Sequence, residues 1–512
     1  MKKVLVVGAG WSGIYAAKHL KEAGFEPEVF EKSHSFMGQW HEHNGPGGVI
    51  RNTHATSSIG YMHPSDFPFP PGTPEFPHHT LVFEHIGNYI KHFSLEQHIH
   101  YEHTVTKIEK VNGKWQALIN NNFSKEYDFV VVATGLNKIP KFPEGDLFSK
   151  FEGETIHSHF FKKLPTKWKN KTVLIVGGGE TAADIANEIC DDAKVILSID
   201  GGVWFQDRIL GAHEPADMFF NRAVHFWFRW WANAIFSRLL QLQWGAGGSG
   251  ISFWKPHSPY LNGIYNKSRN VIHRISEGQV IPKPGAEIIS SNEVKFKGDK
   301  EFTKIDKIIL GTGYDLAHSF EFLPEEIRHH NRYKHIFIPE DSSIAFVGFI
   351  RPFLGSIPML TELQTRYVAE VFKGTTKLPH KRKMEETTEK DRKQQLKDFP
   401  EDGERVPFLV DPYYYCTEIG HYIGASPKLF KLFFTNFILY LKIITQPWAP
   451  FQWRIHDKNT EKRKAALAQV EKLEYHPITK RLRLFLTLNL LITVTPIIAF
   501  LLGIILTINF IR

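Results

Sequence analysis

The succession of strand, glycine-rich turn and helix occurs twice in this chain, and a sequence carrying two such units is committed to an α/β fold built on parallel sheets. The first copy runs from a β-branched stretch at 4–7 through Gly8-Ala9-Gly10-Trp11-Ser12-Gly13 into helical composition at 14–23, then a strand at 28–31. The second has a strand at 172–176, the turn Gly177-Gly178-Gly179-Glu180-Thr181-Ala182, a helix at 183–190 and a strand at 194–198.

A lone G-x-G-x-x-G is a weak signal, but here each copy stands between strand and helix, where every small residue has a task. Gly8 permits the tight turn, Gly10 lets a pyrophosphate approach the N–H groups of the helix N-terminus, and Gly13 allows helix and strand to pack closely. Glu31, about 20 residues beyond the glycines, is placed to accept hydrogen bonds from a ribose hydroxyl. The predicted contacts of the first turn are therefore Gly8, Gly10, Ser12, Gly13 and Glu31, and those of the second, an Ala-ending variant, are Gly177, Gly179, Glu180, Thr181 and Ala182. Two further apolar runs, 129–132 and 307–310, lack polar alternation and predict strands buried on both faces. They end in Ala133-Thr134-Gly135 and Gly311-Thr312-Gly313, turns able to lie against a ligand. Two dinucleotide cofactors imply electron transfer between them, since a nicotinamide delivers hydride and a flavin accepts it and then reacts with oxygen.

Composition narrows the alternatives. With 512 residues the chain exceeds what one core usually organises. Its 62 Lys and Arg against 54 Asp and Glu give +8, a balance that suits phosphorylated cofactors, anionic lipid or nucleic acid alike. No basic arm or nucleic-acid motif accompanies it; Lys381-Arg382-Lys383 and Lys462-Arg463-Lys464 sit among acidic residues and read as solvated helix faces, so no nucleic-acid partner is expected. Two cysteines, Cys190 and Cys416, stand far apart, which suits a reducing compartment and excludes the thiol–disulfide branch of two-dinucleotide flavoproteins. The 27 histidines show no metal-ligand spacing, and no metal is expected.

Membrane features lie elsewhere. The N-terminal apolar run is interrupted by the turn glycines and belongs to the fold, not to a signal peptide. From 484 to 511 no residue is charged, which is longer than the roughly 20 residues needed to cross a bilayer. Lys480, Arg481 and Arg483 precede this run and Arg512 follows, so a single-pass anchor leaves the large domain on the cytoplasmic side, with a kink at Pro496. A buried core helix is the alternative. An aromatic-rich insertion at about 205–268 contains His225-Phe226-Trp227-Phe228-Arg229-Trp230-Trp231, which suits a membrane surface, a core or a tunnel lining. The stretch 380–397 predicts an exposed charged helix, and 428–444 an apolar-aromatic helix with the same choice of surroundings.

Between the two units stands Phe151-Glu152-Gly153-Glu154-Thr155-Ile156-His157-Ser158-His159-Phe160-Phe161, and here the chain resembles the flavin-containing monooxygenase family, whose signature is F-x-G-x-x-x-H-x-x-x-[F/Y]. Ala133-Thr134-Gly135, Gly311-Thr312-Gly313-Tyr314, a Gly38-Gln39-Trp40 turn, Asp66-Phe67-Pro68-Phe69-Pro70, and Ile357-Pro358 leading to Gln364 and Arg366 extend the resemblance from residue 1 to about 453. It implies FAD on a domain made of 1–165 and 316–475, and NADPH on a domain of 166–315 inserted into it. Gln39, Trp40, Gly313 and Gln364 join the expected cofactor contacts. It also implies a mechanism in which oxygen adds to the reduced flavin as a C4a-hydroperoxide that a soft nitrogen or sulfur nucleophile attacks. The partners are then O2, a small-molecule substrate and the membrane; a homo-oligomer stays open.

Two positions depart from the family. Where its members carry Asn near the flavin, this chain has Thr56, one donor in place of two. Where they carry Arg after the second strand of the nicotinamide unit, this chain has Asp200, which repels a 2′-phosphate and favours a free diol, while Arg208, which also matches an arginine of the family, is the expected compensating cation. NADH is therefore an alternative to NADPH. A Baeyer–Villiger oxygenase and an oxidase releasing hydrogen peroxide are the rival functions; the signature's terminal Phe161, where the former usually has Trp, favours heteroatom oxygenation.

Overall fold

A computed structural model describes residues 1–43, 45–210, 214–219, 221–227, 233–234, 237–238, 249–315, 317–328 and 331–472. The run 484–511 and much of the aromatic insertion lie outside the described residues. Among those described, no helix is long and apolar enough to cross a membrane.

The chain opens with β1 (Lys3–Val7), α1 (Trp11–Glu22) and β2 (Glu26–Phe30), followed by β3 (Ile99–His100) and β4 (Phe129–Val132). It then passes to β5 (Glu154–His157), β6 (Thr172–Val176), α2 (Glu180–Ile189), β7 (Lys194–Ser198), β8 (Val280–Lys283), the hairpin β9 (Ala286–Ser290) and β10 (Glu293–Phe296), and β11 (Lys307–Leu310). It returns through β12 (Phe337–Ile338) and β13 (Asp341–Phe346) to α3 (Ile357–Lys373), α4 (Lys381–Asp398), α5 (Leu429–Thr435), α6 (Phe437–Thr445) and α7 (Thr460–Lys472). Two sheets result. The first has the order β12-β13-β4-β1-β2-β3 and the second β8-β7-β6-β11-β5. The second is parallel throughout, and the first is parallel except where β12 runs against β13. Central strands covered on both faces must be apolar at every position; Val4, Leu5 and Val6, like Val173, Leu174 and Ile175, are wholly buried.

The two units superimpose in register. Val7 pairs with Phe30 in one and Val176 with Ser198 in the other. Gly8 N–H donates to Phe30 O at 2.8 Å, and Gly177 N–H to Ser198 O at 2.9 Å. Both helices begin three residues earlier than composition suggests, because the last turn residues already form the first helical turn. The extended residues just before the helices are Gly10 (φ −70°, ψ −177°) and Gly179 (φ −78°, ψ 166°).

Two further outcomes differ from expectation, and a third concerns the insertion. The strand β5 pairs with β11, so the second sheet takes in residues on the near side of the expected 165/166 boundary. The predicted helix at 428–444 is two helices, because Asn436 leaves helical geometry (φ −155°, ψ 80°) and its side chain caps Leu439 N–H at 3.0 Å. The insertion leaves and rejoins the second unit at one place, where Trp204–Phe205 pairs with Tyr265–Asn266.

Candidate functional site

At the first turn, space decides which residues fit. Gly8 has φ +103°, and a Cβ there would lie 2.7 Å from Ala133 O; a Cβ on Gly13 would lie 1.8 Å from Gly8 O. A Cβ on Gly10 would meet nothing within 4 Å, so this face of the turn opens outward. No side chain caps α1, and its first turn holds no acid. The free N–H groups and the positive end of the helix dipole therefore face that opening, which suits a pyrophosphate. Glu31, 6% exposed, accepts from Ala9 N–H at 2.8 Å and Ser33 N–H at 2.9 Å, fastening the turn to the end of β2. The Thr134 hydroxyl is buried with no hydrogen-bond partner among the described residues, and Gly135 (φ +81°) is open on its Cβ side. These features fit a dinucleotide.

Neighbouring segments brace the turn. Met37 N–H donates to Ala9 O at 2.8 Å, which brings the Gly38-Gln39-Trp40 turn against it. Trp40 meets Trp11 edge to face at 5.8 Å, and Gln39 Oε1 accepts from Asn137 Nδ2 at 2.8 Å. Gln364 sits one layer behind. It is wholly buried, its Oε1 accepts from Gly348 N–H at 2.9 Å and its Nε2 donates to Tyr415 OH at 2.8 Å. Gly348 (φ +81°) in turn lies against Ser12, whose Oγ would be 2.1 Å from a Cβ there. With both ends of its amide bound to protein, Gln364 holds the wall behind Ser12.

The second turn repeats the plan. Gly177 (φ +131°) would place a Cβ 2.3 Å from Gly311 O, Gly179 opens outward, and no side chain caps α2. Glu180 lies in the helix's first turn, Thr181 is exposed, and Ala182 is buried against Gly311. Gly313 (φ +82°) is open on its Cβ side, and its carbonyl accepts from Lys141 N–H at 2.9 Å. The register puts Ile199, buried at 3%, where the first unit has Glu31. Asp200 falls one residue further on, at the rim, where it pairs with Lys297 at 2.7 Å.

Arg208 is not the cation beside Asp200. Its Nε donates to Lys267 O at 3.1 Å, its guanidinium reaches Ser268 Oγ at 3.2 Å and Ala55 O at 3.4 Å, and Asp184 lies 3.8 Å away. It thus ties the second unit to the segment carrying Thr56. That segment is fastened on both other sides: Ser57 Oγ donates to Gly355 O at 2.6 Å, and Ser58 N–H donates to Asp217 Oδ2 at 2.7 Å. Thr56 between them is half-buried. Asp217 was not among the expected site residues; burial raises its carboxyl pKa, and its Oδ1 has no partner among the described residues. A single Asp in an aromatic stretch carries no periodic or motif signal that would have marked it.

The signature between the units is structural. Phe151 and Phe161 are buried, and a Cβ on Gly153 would lie 2.4 Å from the Phe151 ring. His157 Nδ1 accepts from His159 N–H at 3.0 Å, and burial lowers the His157 pKa to about 4, so it is neutral near pH 7. Asp66 of the D-F-P-F-P segment pairs with Lys18 at 2.7 Å and Arg454 at 3.1 Å inside the protein, and burial notwithstanding, those cations hold its carboxyl below the usual range. Among the described residues no group of His, Cys, Asp and Glu is placed to hold a metal ion.

The flavin-binding monooxygenase-like family model matches residues 1–509. The chain belongs to that family. It is 30% identical over 89% of its length to flavin-containing monooxygenase 3 of Rattus norvegicus, 89% of which is covered. It is 31% identical, with 89% of this chain and 90% of the relative covered, to a 4-hydroxybenzoate brominase (decarboxylating) of Marinomonas mediterranea. The solved S-allyl-L-cysteine S-oxygenase of Allium sativum shares the fold at a TM-score of 0.61 and 20% identity, covering 92% of this chain and 98% of that one. The protein is accordingly an FAD- and NADPH-dependent monooxygenase, an oxidoreductase.

Proposed function

We propose that this monooxygenase oxygenates nitrogen- or sulfur-containing soft nucleophiles, with FAD on the first unit and the nicotinamide nucleotide on the second. Bound there, the nicotinamide supplies reducing equivalents and the flavin the oxygen-activating chemistry. The observation that carries the reading is the way the Thr56 segment is held from three directions, by Arg208, Gly355 and Asp217, while bringing only one hydroxyl between them. A segment held in place on several sides, bringing a hydroxyl in place of an acid–base pair of its own, suits transfer of oxygen to a group already nucleophilic. Buried Phe161 at the end of the signature supports the same choice over a Baeyer–Villiger reaction.

Thr56 also favours a second reading. One donor shields less than an amide would, so part of the NADPH consumed is expected to appear as hydrogen peroxide. The test is an assay of the purified holoenzyme with NADPH and oxygen against a thioether, a tertiary amine, a cyclic ketone, and 4-hydroxybenzoate with bromide, quantifying products and peroxide. Sulfoxide or N-oxide formation supports the proposal; ester from the ketone, brominated product alone, or peroxide stoichiometric with NADPH replaces it. Thr56→Asn should lower the peroxide share.

We propose further that 484–511 crosses a membrane once and keeps the catalytic units on the cytoplasmic side. In support, Phe430, Phe434 and Ile438 on α5 and α6 are 82%, 70% and 64% exposed, an apolar ridge flanked by Lys428 and Lys431. The described chain ends against these helices, where Gln446 Nε2 donates to Val470 O at 2.9 Å and Lys442 pairs with Glu471. Removal of residues after Arg483 should yield a more soluble protein with unchanged flavin content; aggregation with flavin loss would make the run part of the core.

A further inference from the structure

The far rim of the second unit carries charges that neither glycine turn uses. The ends of β7 and β8 and the loop after β10 enclose an open cavity of about 460 Å³, lined in part by Ile199, Asp200, Phe253, Lys283, Lys297 and Asp299. It lies at the carboxyl ends of neighbouring parallel strands, beyond the turn that suits a pyrophosphate, which is where the adenosine end of a dinucleotide rests in such sheets. Four ionised side chains there form two pairs of unlike strength. Lys283 and Asp299, 2.6 Å apart, are 25% and 28% exposed, and Lys283 also lies over the Phe296 ring. Lys297 and Asp200, 2.7 Å apart, are 54% and 64% exposed. An exposed pair of this kind is held weakly and exchanges readily for another partner.

We propose that the Asp200–Lys297 pair reads the 2′ position of the adenosine ribose in both of its forms. Lys297 leaves Asp200 to bind the 2′-phosphate of NADPH, and Asp200 accepts hydrogen bonds from the free diol of NADH. A cation supplied by the loop after β10 thereby replaces the arginine that the family carries at the position of Asp200. The reader is built from residues about a hundred positions apart, and its two halves pull preference in opposite directions. The inference rests on the reading that the second unit holds the nicotinamide nucleotide.

The test is calorimetric titration of the flavin-loaded full chain with NADP+ and with NAD+, for wild type, Lys297→Met, Asp200→Asn and Gly179→Ala. Loss of one charge-assisted contact should weaken NADP+ binding to Lys297→Met by about tenfold, with NAD+ held within about twofold, and Asp200→Asn should tighten NADP+ while weakening NAD+. High salt should erase the NADP+ difference first. Unchanged NADP+ affinity in Lys297→Met, or equal loss of both nucleotides, overturns the reader. Gly179→Ala separates the two levels: if it binds both nucleotides as wild type does, the assignment of the unit fails, whereas its loss of binding with no shift in Lys297→Met sinks the reader alone.

Discussion

In the first unit Gly13 faces the Cβ of Ala133, 3.6 Å from where its own Cβ would be; in the second, Ala182 faces Gly311, where a Cβ would lie 2.9 Å from the Ala182 methyl. Ala133 and Gly311 are equivalent, since each donates its N–H to the last residue of the central strand, Val7 and Val176. Helix and strand thus approach closely in both units with one methyl between them, carried by opposite partners. The comparison teaches that the last small residue of such a motif is a property of a pair. The units also differ in polarity. The first buries a carboxylate that grips its own turn and leaves the Thr134 hydroxyl without a partner among the described residues; the second has Ile199 in place of Glu31, and Thr312 Oγ1 donates to Lys141 O at 2.6 Å. Its charges stand outside, at the rim. A buried polar grip suits a ligand that stays, and an exposed rim one that comes and goes.

The largest effect should follow from reversing the small residue in the first unit alone. Gly13→Ala drives a methyl onto Gly8 O, and overpacking of this kind costs about 3 kcal/mol or more because backbone must move. The protein should lose flavin and much of its thermal stability, whereas Ala182→Gly should cost about 1 kcal/mol, the ordinary penalty of helical glycine. Calorimetric melting of both variants checks the asymmetry; equal losses would break it.

Next comes Gly311→Ala, expected to destabilise by about 1–3 kcal/mol through contact with Ala182. Adding Ala182→Gly recreates the arrangement of the first unit, so the double variant should be more stable than Gly311→Ala. A double-mutant cycle measures the coupling, and strict additivity would show that the methyl is not shared.

Glu31→Gln removes one of the two acceptors holding Ala9 and Ser33, and flavin affinity should fall by about tenfold, as loss of a charge-assisted bond implies. Ile199→Lys in the second unit should leave flavin content untouched. Flavin release monitored by fluorescence distinguishes them.

How much of this was legible beforehand depends on the range of the signal. The strands at 172–176 and 194–198 were readable to the residue because a doubly covered strand is apolar throughout. The helix starts were not, because Trp11 and Glu180 belong at once to the turn and to the helix. Nor was the break at Asn436, where one side chain capping a backbone N–H divides an apolar run. Within the site, the glycines announce themselves by local spacing, but Asp200 pairs with Lys297 in the loop after β10, and Arg208 reaches Ala55 in another unit.

A further expected effect concerns pH and applies to both halves. Burial lowers the His85 pKa of the first unit and the His157 pKa at the edge of the second to about 4, from an ordinary 6.5. Each is neutral in the folded state and takes up a proton more easily when unfolded. The resulting stability is fully present above about 6.5 and is lost as pH falls toward 4. Melting temperature should decline over that window, and His157→Gln should flatten part of the decline; an unchanged slope would show that folding does not shift the protonation of this ring.

The division of the two nucleotides between the two turns is tested most directly at Gly10 and Gly179. A methyl on either meets no protein atom within 4 Å, so neither substitution should disturb the fold, and any loss must come from the ligand's own path. Flavin content and NADP+ affinity, measured together on purified Gly10→Ala and Gly179→Ala, should separate cleanly: Gly10→Ala folded but without flavin, Gly179→Ala fully flavinated but unable to bind NADP+. A Gly10→Ala protein that purified with full flavin, or a Gly179→Ala protein that lost flavin and kept NADP+, would contradict the assignment.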